Sequence, residues 1–347
     1  LMILTGDYES PSFTEHRYTR ETLEDHFRLF ATSVIDESGN YDLYMSAAGE
    51  PFSAANLLGS INYEQFDELT YWDPDTDSVD FNEGEYVLYL TEPGSSEPFF
   101  ESTTISFAYD TEYVLALRTT SGAIQNNVVI DIIINSSSVA NFADEDATAQ
   151  YRIYNSLNDT EVISLSIAGN EGTSTETTLS AKTISDFNEV EFGDYRLTAV
   201  IGDESFNNRL VTLNQGESKA IILYRDEEHN LNLLSFEESN LPQVFDHQIQ
   251  IVNLVPDYFD IDFYFVRNDE TIESAEYLVA GLDYEENKSI TLPSDYYELI
   301  AVYDDSNDTQ VLLDRTELLN INEEANYIIT VEKTEYSATG FKISILY

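Results

Sequence analysis

The stretch EFGDYRLTAVIGDES, from Glu191 to Ser205, has two close counterparts in the same chain. They are NEGEYVLYLTEPGSS, from Asn82 to Ser96, and PSDYYELIAVYDDSN, from Pro293 to Asn307. Each stretch places a turn residue, a polar residue and a tyrosine before a run in which apolar residues recur at alternate positions. A period of two residues is the period of a β-strand. The three stretches therefore predict the same strand in three copies.

The tyrosine of this signature recurs at domain-sized intervals. Tyr86 and Tyr195 lie 109 residues apart, and Tyr195 and Tyr297 lie 102 residues apart. This period is too long for a solenoid repeat. We expect the tyrosines to be core or corner residues whose hydroxyls are hydrogen-bonded at the rim of a sandwich. Glycine before the strand suits a turn, and Asp is one of the few other residues that tolerates such a conformation. The signature positions are Gly84 and Tyr86, Gly193 and Tyr195, and Asp295 and Tyr297.

Other strand-like segments accompany each signature in the same order, so the repeat covers a whole domain. The upstream segments are FRLFATS from Phe27, YRIYNSL from Tyr151 and IQIVNLV from Ile249, and each copy closes with an apolar segment, VVIDIIIN, LNLLSF or FKISILY. Short strands between Gly, Asn and Asp turns, with about one hundred residues per unit, are typical of immunoglobulin-like sandwiches. The sequence predicts an all-β fold of three tandem immunoglobulin-like antiparallel β-sandwiches after a short arm, with residues 1–24 as the arm and 25–143, 147–240 and 246–347 as the sandwiches.

The segments between the copies are acidic and contain small residues or proline. Ala140–Ala149 and Glu237–Asp246 are predicted to be linkers for this reason. For the N-terminal arm we expect an ordered segment packed on the first domain. A short helix or a linker is the alternative, and LMILTG could instead add an edge strand to a neighbouring sheet.

The chain is strongly acidic. Its 347 residues include 15 Lys and Arg against 66 Asp and Glu, a net charge of -51. Such a surface repels phosphate backbones and anionic lipid, which argues against nucleic-acid partners and anionic membranes. It favours cations, basic partners or a salty medium that screens self-repulsion. The acidic surface thus has two explanations, which are adaptation to a salty environment and a secreted protein that its charge keeps soluble. Because 42% of the residues are hydrophobic, the chain can still bury cores.

The chain contains no cysteine, which excludes disulfides, thiolate metal sites and cysteine nucleophiles. It begins with LMILTG rather than with an initiator Met and a basic segment, so we expect a mature chain whose targeting segment has been removed. No apolar run approaches the ~20 residues that a membrane span requires.

Three segments of the third copy carry a family pattern: IQIVNLVPDYFDIDFYFV, LPSDYYELIAVYDD and NEEANYIITVEK. In this pattern the chain resembles the bacterial exported family known as domain of unknown function 4397. Val255 and Asp295 stand where the family has Ser and Gly. The second copy keeps Asn155, Gly193 and Tyr195, and the first keeps only Gly84 and Tyr86. The matching positions in the third copy are Val252, Asn253, Pro256, Asp260, Asp262, Leu292, Pro293 and Tyr297.

The resemblance implies an immunoglobulin-type sandwich, often in tandem, and export to the periplasm or the cell surface. Members of the family are often held by a lipid anchor. Since this chain has no cysteine to carry a lipid, we expect an anchor to have been removed or never to have existed. The resemblance brings no catalytic residues with it.

The acidic run DPDTDSVD is the candidate metal site, with Asp73, Asp75, Asp77 and Asp80. Alternating carboxylates resemble the start of a calcium loop, because calcium takes several oxygen ligands at close range. The loop form requires Gly at its sixth position and Glu at its twelfth, where this chain has Ser78 and Gly84. Calcium is therefore the one cofactor that the sequence suggests, and a solvated acidic turn is the alternative.

Two aromatic residues beside this run are the candidate binding residues. Tyr71 and Trp72 could stack on the face of a sugar ring, and Trp72 is the only tryptophan of the chain. The alternative is a tryptophan half-buried against a neighbouring domain.

We find no pattern of catalytic residues. Because the chain contains 66 Asp and Glu residues, pairs of carboxylates are expected by chance and do not indicate a glycosidase site. The four histidines lack the spacing of a zinc site, and we expect them at surface or junction positions. No nucleophile elbow, P-loop or dinucleotide fingerprint occurs. The histidines are His16, His26, His229 and His247.

These observations predict a non-enzymatic, exported bacterial protein, located in the periplasm or at the cell surface. Its three modules would form an elongated row with a structural or partner-binding role, and the partner would be a protein or a glycan. The alternative is a glycan- or calcium-binding module centred on Trp72 and the Asp73–Asp80 run. The closing segment Phe341–Tyr347 could also pair with a partner strand or with a second copy.

Overall fold

A computed structural model describes residues 1–6, 10–35, 40–70, 81–119, 124, 127–135, 138–157, 162–169, 174–239, 246–305, 309–321 and 326–347. Regular structure in these ranges consists of thirty β-strands and one 3-10 turn, Phe52–Ala54. The prediction of an all-β chain is thus confirmed. Across the same ranges, no helix has the length and apolar character needed to cross a membrane. The chain divides into two compact units, Leu1–Ser121 with Gln125–Ala147, and Gly122–Ile124 with Thr148–Tyr347.

The first unit contains a hairpin and a sandwich. The strands are β1 (Met2–Thr5), β2 (Ser12–Glu15), β3 (Arg28–Ser33), β4 (Tyr41–Ala47), β5 (Asn56–Ile61), β6 (Asp67–Leu69), β7 (Gly84–Thr91), β8 (Pro98–Glu101), β9 (Ile105–Phe107), β10 (Glu112–Thr119), β11 (Val128–Ile134) and β12 (Ser138–Ala143). One sheet has the order β12-β11-β10-β3-β6, and the other has the order β5-β4-β7-β8 with β9 beside β7. Alternate residues of β7 and β10, such as Leu88, Leu90 and Leu115, are fully buried between the sheets.

The N-terminal arm is ordered and packs on this first sandwich. Strands β1 and β2 pair with each other in an antiparallel hairpin. Further along the arm, the ring of Tyr18 lies 4.7 Å from that of Phe30 and 5.4 Å from that of Phe66. Residues 12–15, which could have begun a helix, form a strand.

The second unit begins with another sandwich. Its strands are β13 (Ala149–Asn155), β14 (Ile163–Ala168), β15 (Ser174–Leu179), β16 (Thr183–Ile184), β17 (Asn188–Val190), β18 (Gly193–Ile201), β19 (Glu204–Leu213), β20 (Ser218–Arg225) and β21 (Leu231–Glu238). One sheet has the order β16-β13-β20-β21 with β17 beside β13, and the other has the order β15-β14-β18-β19. Ile163, Leu197 and Ile221 are fully buried between them.

A third sandwich completes the second unit. Its strands are β22 (Asp246–Asn253), β23 (Ile261–Arg267), β24 (Tyr277–Leu282), β25 (Asn287–Pro293), β26 (Asp295–Asp304), β27 (Gln310–Arg315), β28 (Leu319–Ile321), β29 (Tyr327–Lys333) and β30 (Phe341–Leu346). One sheet has the order β25-β22-β29-β30, and the other has the order β24-β23-β26-β27 with β28 beside β26. The segments SAEYLVAG and AANLLGS contribute residues to β24 and β5.

Each sandwich contains one parallel pair of strands, whereas the sequence predicted antiparallel sandwiches. The first strand of each sandwich runs parallel to a strand near the end of the same module, in the pairs β3–β10, β13–β20 and β22–β29. The neighbouring pairs β10–β11, β20–β21 and β29–β30 are antiparallel. The pairing fixes a common register for the three copies. In that register Leu117 lies opposite Ser33, Leu223 opposite Asn155, and Val331 opposite Asn253.

The connections between the sandwiches are shorter than the linkers that the sequence predicted. Residues 140–143 belong to β12 and Ala149 opens β13, which leaves 144–148 as the connection. Glu237 and Glu238 end β21, and Asp246 opens β22. The strands extend into these segments at exposed positions such as Ala143 and at buried ones such as Ala149 and Glu238.

The second and third sandwiches pack on each other through one sheet face each. The outer face of the β13–β20 sheet meets the outer face of the β22–β29 sheet, and the side chains between them form a separate apolar layer. Ile222 and Val252 are fully buried in this layer. The two modules therefore form a four-layer block, which differs from the elongated row that the sequence predicted. The buried members of the layer are Tyr154, Ala220, Ile222, Tyr224, Phe236, Val252, Leu254, Ile328 and Leu346.

Candidate functional site

The candidate site residues Tyr71, Trp72, Asp73, Asp75, Asp77 and Asp80 lie outside the described residues. Glycan binding at Trp72 and calcium binding at the Asp run therefore stay predictions. In the part of the chain that the structure describes, no group of three or more His, Asp or Glu side chains is arranged to hold a metal ion.

The signature tyrosines form corners in all three sandwiches. Each hydroxyl donates a hydrogen bond to the backbone carbonyl four residues earlier, and so ties the start of a strand to the preceding turn. Burial raises the pKa of Tyr195 and of Tyr297 above the usual value. These tyrosines have a structural role at the corners of the fold. The bonds are Tyr86 to Asn82 at 2.8 Å, Tyr195 to Glu191 at 2.5 Å and Tyr297 to Pro293 at 3.1 Å.

The residues before these strands differ in what they contribute. Gly193 has a φ of 151°, in the range that favours glycine. Gly84 does not adopt a positive φ, so the expectation of a glycine-specific turn is wrong there. A Cβ atom on Gly84 would lie 3.2 Å from the ring of Tyr86, so glycine instead makes room for the corner tyrosine. Asp295 also keeps an ordinary φ, and its carboxylate forms an ion pair with Arg267 at 3.3 Å.

A polar side chain stabilises the turn that follows the first strand of each sandwich. The side-chain oxygen of Asn155 accepts the N–H of Leu157 at 3.1 Å, and that of Asn253 accepts the N–H of Val255 at 2.8 Å. In the first sandwich Ser33 takes the same role toward residue 35 at 3.2 Å. Because all three polar side chains are fully buried, these turns are firmly positioned.

In the second unit, two of these turns open into a cleft of about 360 Å³ at the end of the face-to-face junction. The β20–β21 hairpin loop borders it on the second sandwich, and the β29–β30 hairpin loop borders it on the third. The floor is apolar and is formed by Leu157, Leu254, Pro256 and Phe341. Corresponding elements of two successive copies thus build the cleft together.

Two cations hold corresponding positions on the rim. Arg225 and Lys333 each lie two residues beyond the residue that pairs with the buried asparagine of the first strand. The guanidinium of Arg225 donates to Glu204 at 2.7 Å and to the carbonyl of His229 at 2.8 Å. Lys333 forms an ion pair with Asp257. Both rim charges are therefore balanced by a neighbouring carboxylate.

Glu332 closes the back of the cleft and joins the two sandwiches. Its carboxylate is buried and accepts hydrogen bonds from Tyr154 at 2.9 Å, from Thr330 and from Lys182. Lys182 also donates to the carbonyl of Ser156 at 2.5 Å. Burial, followed by the charge of Glu332, raises the pKa of Tyr154 well above its usual range. Since Tyr154 and Lys182 belong to the second sandwich and Glu332 to the third, this network holds the walls of the cleft together.

The β20–β21 loop presents His229 to the cleft in an unusual conformation. His229 has a φ of 65°, a value that residues other than glycine adopt infrequently. The Asp226 carboxylate fixes the loop by accepting the N–H groups of Glu228 at 3.0 Å and Asn230 at 2.8 Å. His229 was expected only at a surface or junction position, because the cleft is assembled from residues about one hundred positions apart.

A second ion pair is buried on the same face of the β13–β20–β21 sheet as Tyr154 and Phe236. Arg152 donates to Glu238 at 2.9 Å and 2.6 Å, and the guanidinium lies 4.6 Å from the ring centre of Phe187. Burial raises the pKa of Glu238, and Arg152 opposes that shift. His247, expected at a surface or junction position, lies fully buried at the start of β22, with its Nε2 2.9 Å from the Ser294 hydroxyl.

No family model matches this chain, and no curated protein matches it. The resemblance to the domain of unknown function 4397 family therefore stays a prediction.

Several solved structures are similar to the chain at low TM-score. The Bacillus anthracis TIE protein is 10% identical over 95% of this chain and 56% of its own, with a TM-score of 0.21. A candidate cell adhesion protein from Parabacteroides distasonis ATCC 8503 is 11% identical over 57% of this chain and 98% of its own, with a TM-score of 0.19. One from Bacteroides fragilis NCTC 9343 is 10% identical over 55% and 84%, with a TM-score of 0.16.

The present chain spans 56% of the length of the TIE protein. At these TM-scores and identities the similarity carries no argument about function, and the case for a function rests on the residues of this chain.

Proposed function

We propose that this protein is a non-enzymatic, exported bacterial protein of tandem β-sandwiches, with a structural or partner-binding role in the periplasm or at the cell surface. The observation that carries the proposal is the face-to-face junction of the second and third sandwiches. Its buried apolar layer and cross-module hydrogen bonds make one stiff block from two modules. A stiff block can hold a binding surface in a defined orientation.

The buried ionisable groups of the junction support a role other than catalysis. Arg152 and Glu238 bind each other, and Glu332 binds Lys182 and Tyr154. A catalytic acid or base must exchange its proton with a substrate, which requires a group that can leave its partner. Here each charged group is held by an opposite charge in a buried layer, where separation would be costly.

The charge of the chain supports an extracytoplasmic setting and a partner other than nucleic acid. A net charge of -51 repels polyanions, so nucleic acids and anionic lipid surfaces are disfavoured. The absence of cysteine from the sequence means that the fold does not depend on the redox state of its compartment.

Protease treatment of intact bacterial cells that make the protein tests its location. We expect external protease to digest it, or mild osmotic shock to release it, while a cytoplasmic marker protein stays intact and inside. Retention with the cytoplasmic marker in both treatments would contradict the proposal.

A further inference from the structure

The junction cleft has the size and the floor of a small-ligand site. Its volume of about 360 Å³ falls within the range of about 300 to 1,000 Å³ that is typical of such sites. Leu157 and Leu254 are buried, so the floor is held in place by the packing of the two sandwiches. Phe341 adds a flat, half-buried ring, which an edge contact with Tyr258 at 5.3 Å keeps in orientation.

The rim combines cations and carboxylates, including the exposed Glu335, and has a small excess of negative charge. Arg225 is paired with Glu204, and Lys333 is paired with Asp257. Asp226 is engaged with the backbone of its own loop. A charged ligand would have to compete with these pairs, whereas a ligand with several hydroxyl groups could accept and donate hydrogen bonds beside them.

The charge of the whole chain further restricts the class of ligand that can bind in the cleft. A net charge of -51 repels anionic ligands before they reach the cleft. A cationic ligand would be attracted to carboxylates over the whole surface and would gain little from this one cleft. A neutral ligand with an apolar face and many hydroxyl groups fits both the long-range field and the lining.

His229 supplies the directional group on the rim. Its φ of 65° is a value that residues with a side chain adopt infrequently, and eight other non-glycine residues among those described also have a positive φ. The loop would be at least as easily formed with glycine at this position. In this conformation the imidazole lines the cleft, where it can donate or accept a hydrogen bond beside the apolar floor.

We infer that the junction cleft binds a neutral saccharide unit, with the ring of Phe341 against the apolar face of the sugar and His229 bonded to its hydroxyl groups. This site is distinct from the predicted one at Trp72. The inference rests on the proposed partner-binding role and names its ligand class.

A glycan array tests the inference. The full chain is applied to neutral oligosaccharides, with sulfated and uronic-acid oligosaccharides as the charged comparison, and the strongest neutral ligand is then titrated by calorimetry. We expect saturable binding to neutral oligosaccharides. If no neutral oligosaccharide binds, or if only charged ones do, the inference is overturned.

Two variants locate the binding. His229→Gly removes the imidazole while suiting the positive φ, so the loop should keep its shape. Phe341→Leu removes the flat ring and keeps an apolar side chain on β30. We expect each to weaken neutral-sugar binding about tenfold or more, with unchanged circular dichroism. Binding as tight as that of the unmodified chain in both variants would overturn the inference.

Phe99→Leu is the matched control, because Phe99 is an exposed phenylalanine of the first sandwich, and it should bind as the unmodified chain does. The result of the glycan-binding experiment does not depend on the result of the protease experiment that tests where the protein is located. An extracytoplasmic protein that ignores neutral sugars would leave the proposed function standing and remove only this site.

Discussion

At the scale of single residues, one hydroxyl ties each signature strand to the turn before it. In Tyr195→Phe the carbonyl of Glu191 loses a donor at 2.5 Å. We expect a loss of about 1 kcal/mol in the free energy of unfolding, measured by urea denaturation. Tyr296→Phe is the control, because Tyr296 is exposed and should be neutral to substitution. Equal stability of the two variants would show that the corner bond is not needed.

The buried pair of Arg152 and Glu238 gives a larger effect. Arg152→Met leaves the Glu238 carboxylate buried without its partner, and we expect a loss of about 3–5 kcal/mol in chemical denaturation. The double variant Arg152→Met with Glu238→Leu removes both charges and should recover most of this loss. A double variant as unstable as the single one would mean that packing, including the contact with Phe187, accounts for the loss.

The pH dependence of the first sandwich should depend in part on Glu101. Burial, and then the charge of Glu145, raises the pKa of Glu101 in the folded state. Its contribution to stability is thus full below the unfolded pKa of about 4.3 and is lost as the pH rises through the folded value. Glu101→Gln should therefore stabilise the protein at about pH 7 and have little effect at about pH 4.

Unfolding midpoints at the two pH values check this prediction. Glu97→Gln, an exposed position near the same strand, controls for the general relief of negative charge. If the two variants respond to pH alike, the effect belongs to net charge and not to the burial of Glu101.

At the scale of elements, the β23–β24 pair depends on a close approach at Gly281. Gly281 has a φ of 64°, and a Cβ atom there would lie 2.8 Å from Oδ1 of Asp260. Gly202, with a φ of 54°, has open space around that position. We expect Gly202→Ala to cost about 1–2 kcal/mol through its backbone conformation alone, and Gly281→Ala to cost more because the Asp260 side chain must move. Thermal unfolding compares them, and equal losses would show that this contact adds nothing.

At the scale of the whole molecule, the net charge of -51 should oppose folding at low ionic strength. Salt screens this repulsion, so we expect the urea midpoint of unfolding to rise between about 0.05 M and about 1 M NaCl. EDTA in all samples separates screening from calcium binding at the Asp run. A midpoint that stays constant with salt would argue against salt adaptation.

Much of the fold could be predicted because its signals are local. Alternation after Tyr86, Tyr195 and Tyr297 reports which face of a strand is buried, and an interval of about one hundred residues reports the size of the module. The corner role of the tyrosines also follows from their position next to a turn. No local pattern of this kind predicts the candidate cleft, since Leu157 and Phe341 resemble ordinary core residues of separate copies.

Residue alternation, spacing and charge are properties of the chain before it folds, so the all-β, repeated and strongly acidic character of this protein could be predicted from them. Tertiary structure alone decided the parallel pair in each sandwich, the face-to-face junction and the cleft at its end. Tyr154 and Glu332 are 178 residues apart, and nothing local to either marks the other as its partner. Such contacts are selected by the packing of whole sheet faces, which depends on both surfaces together.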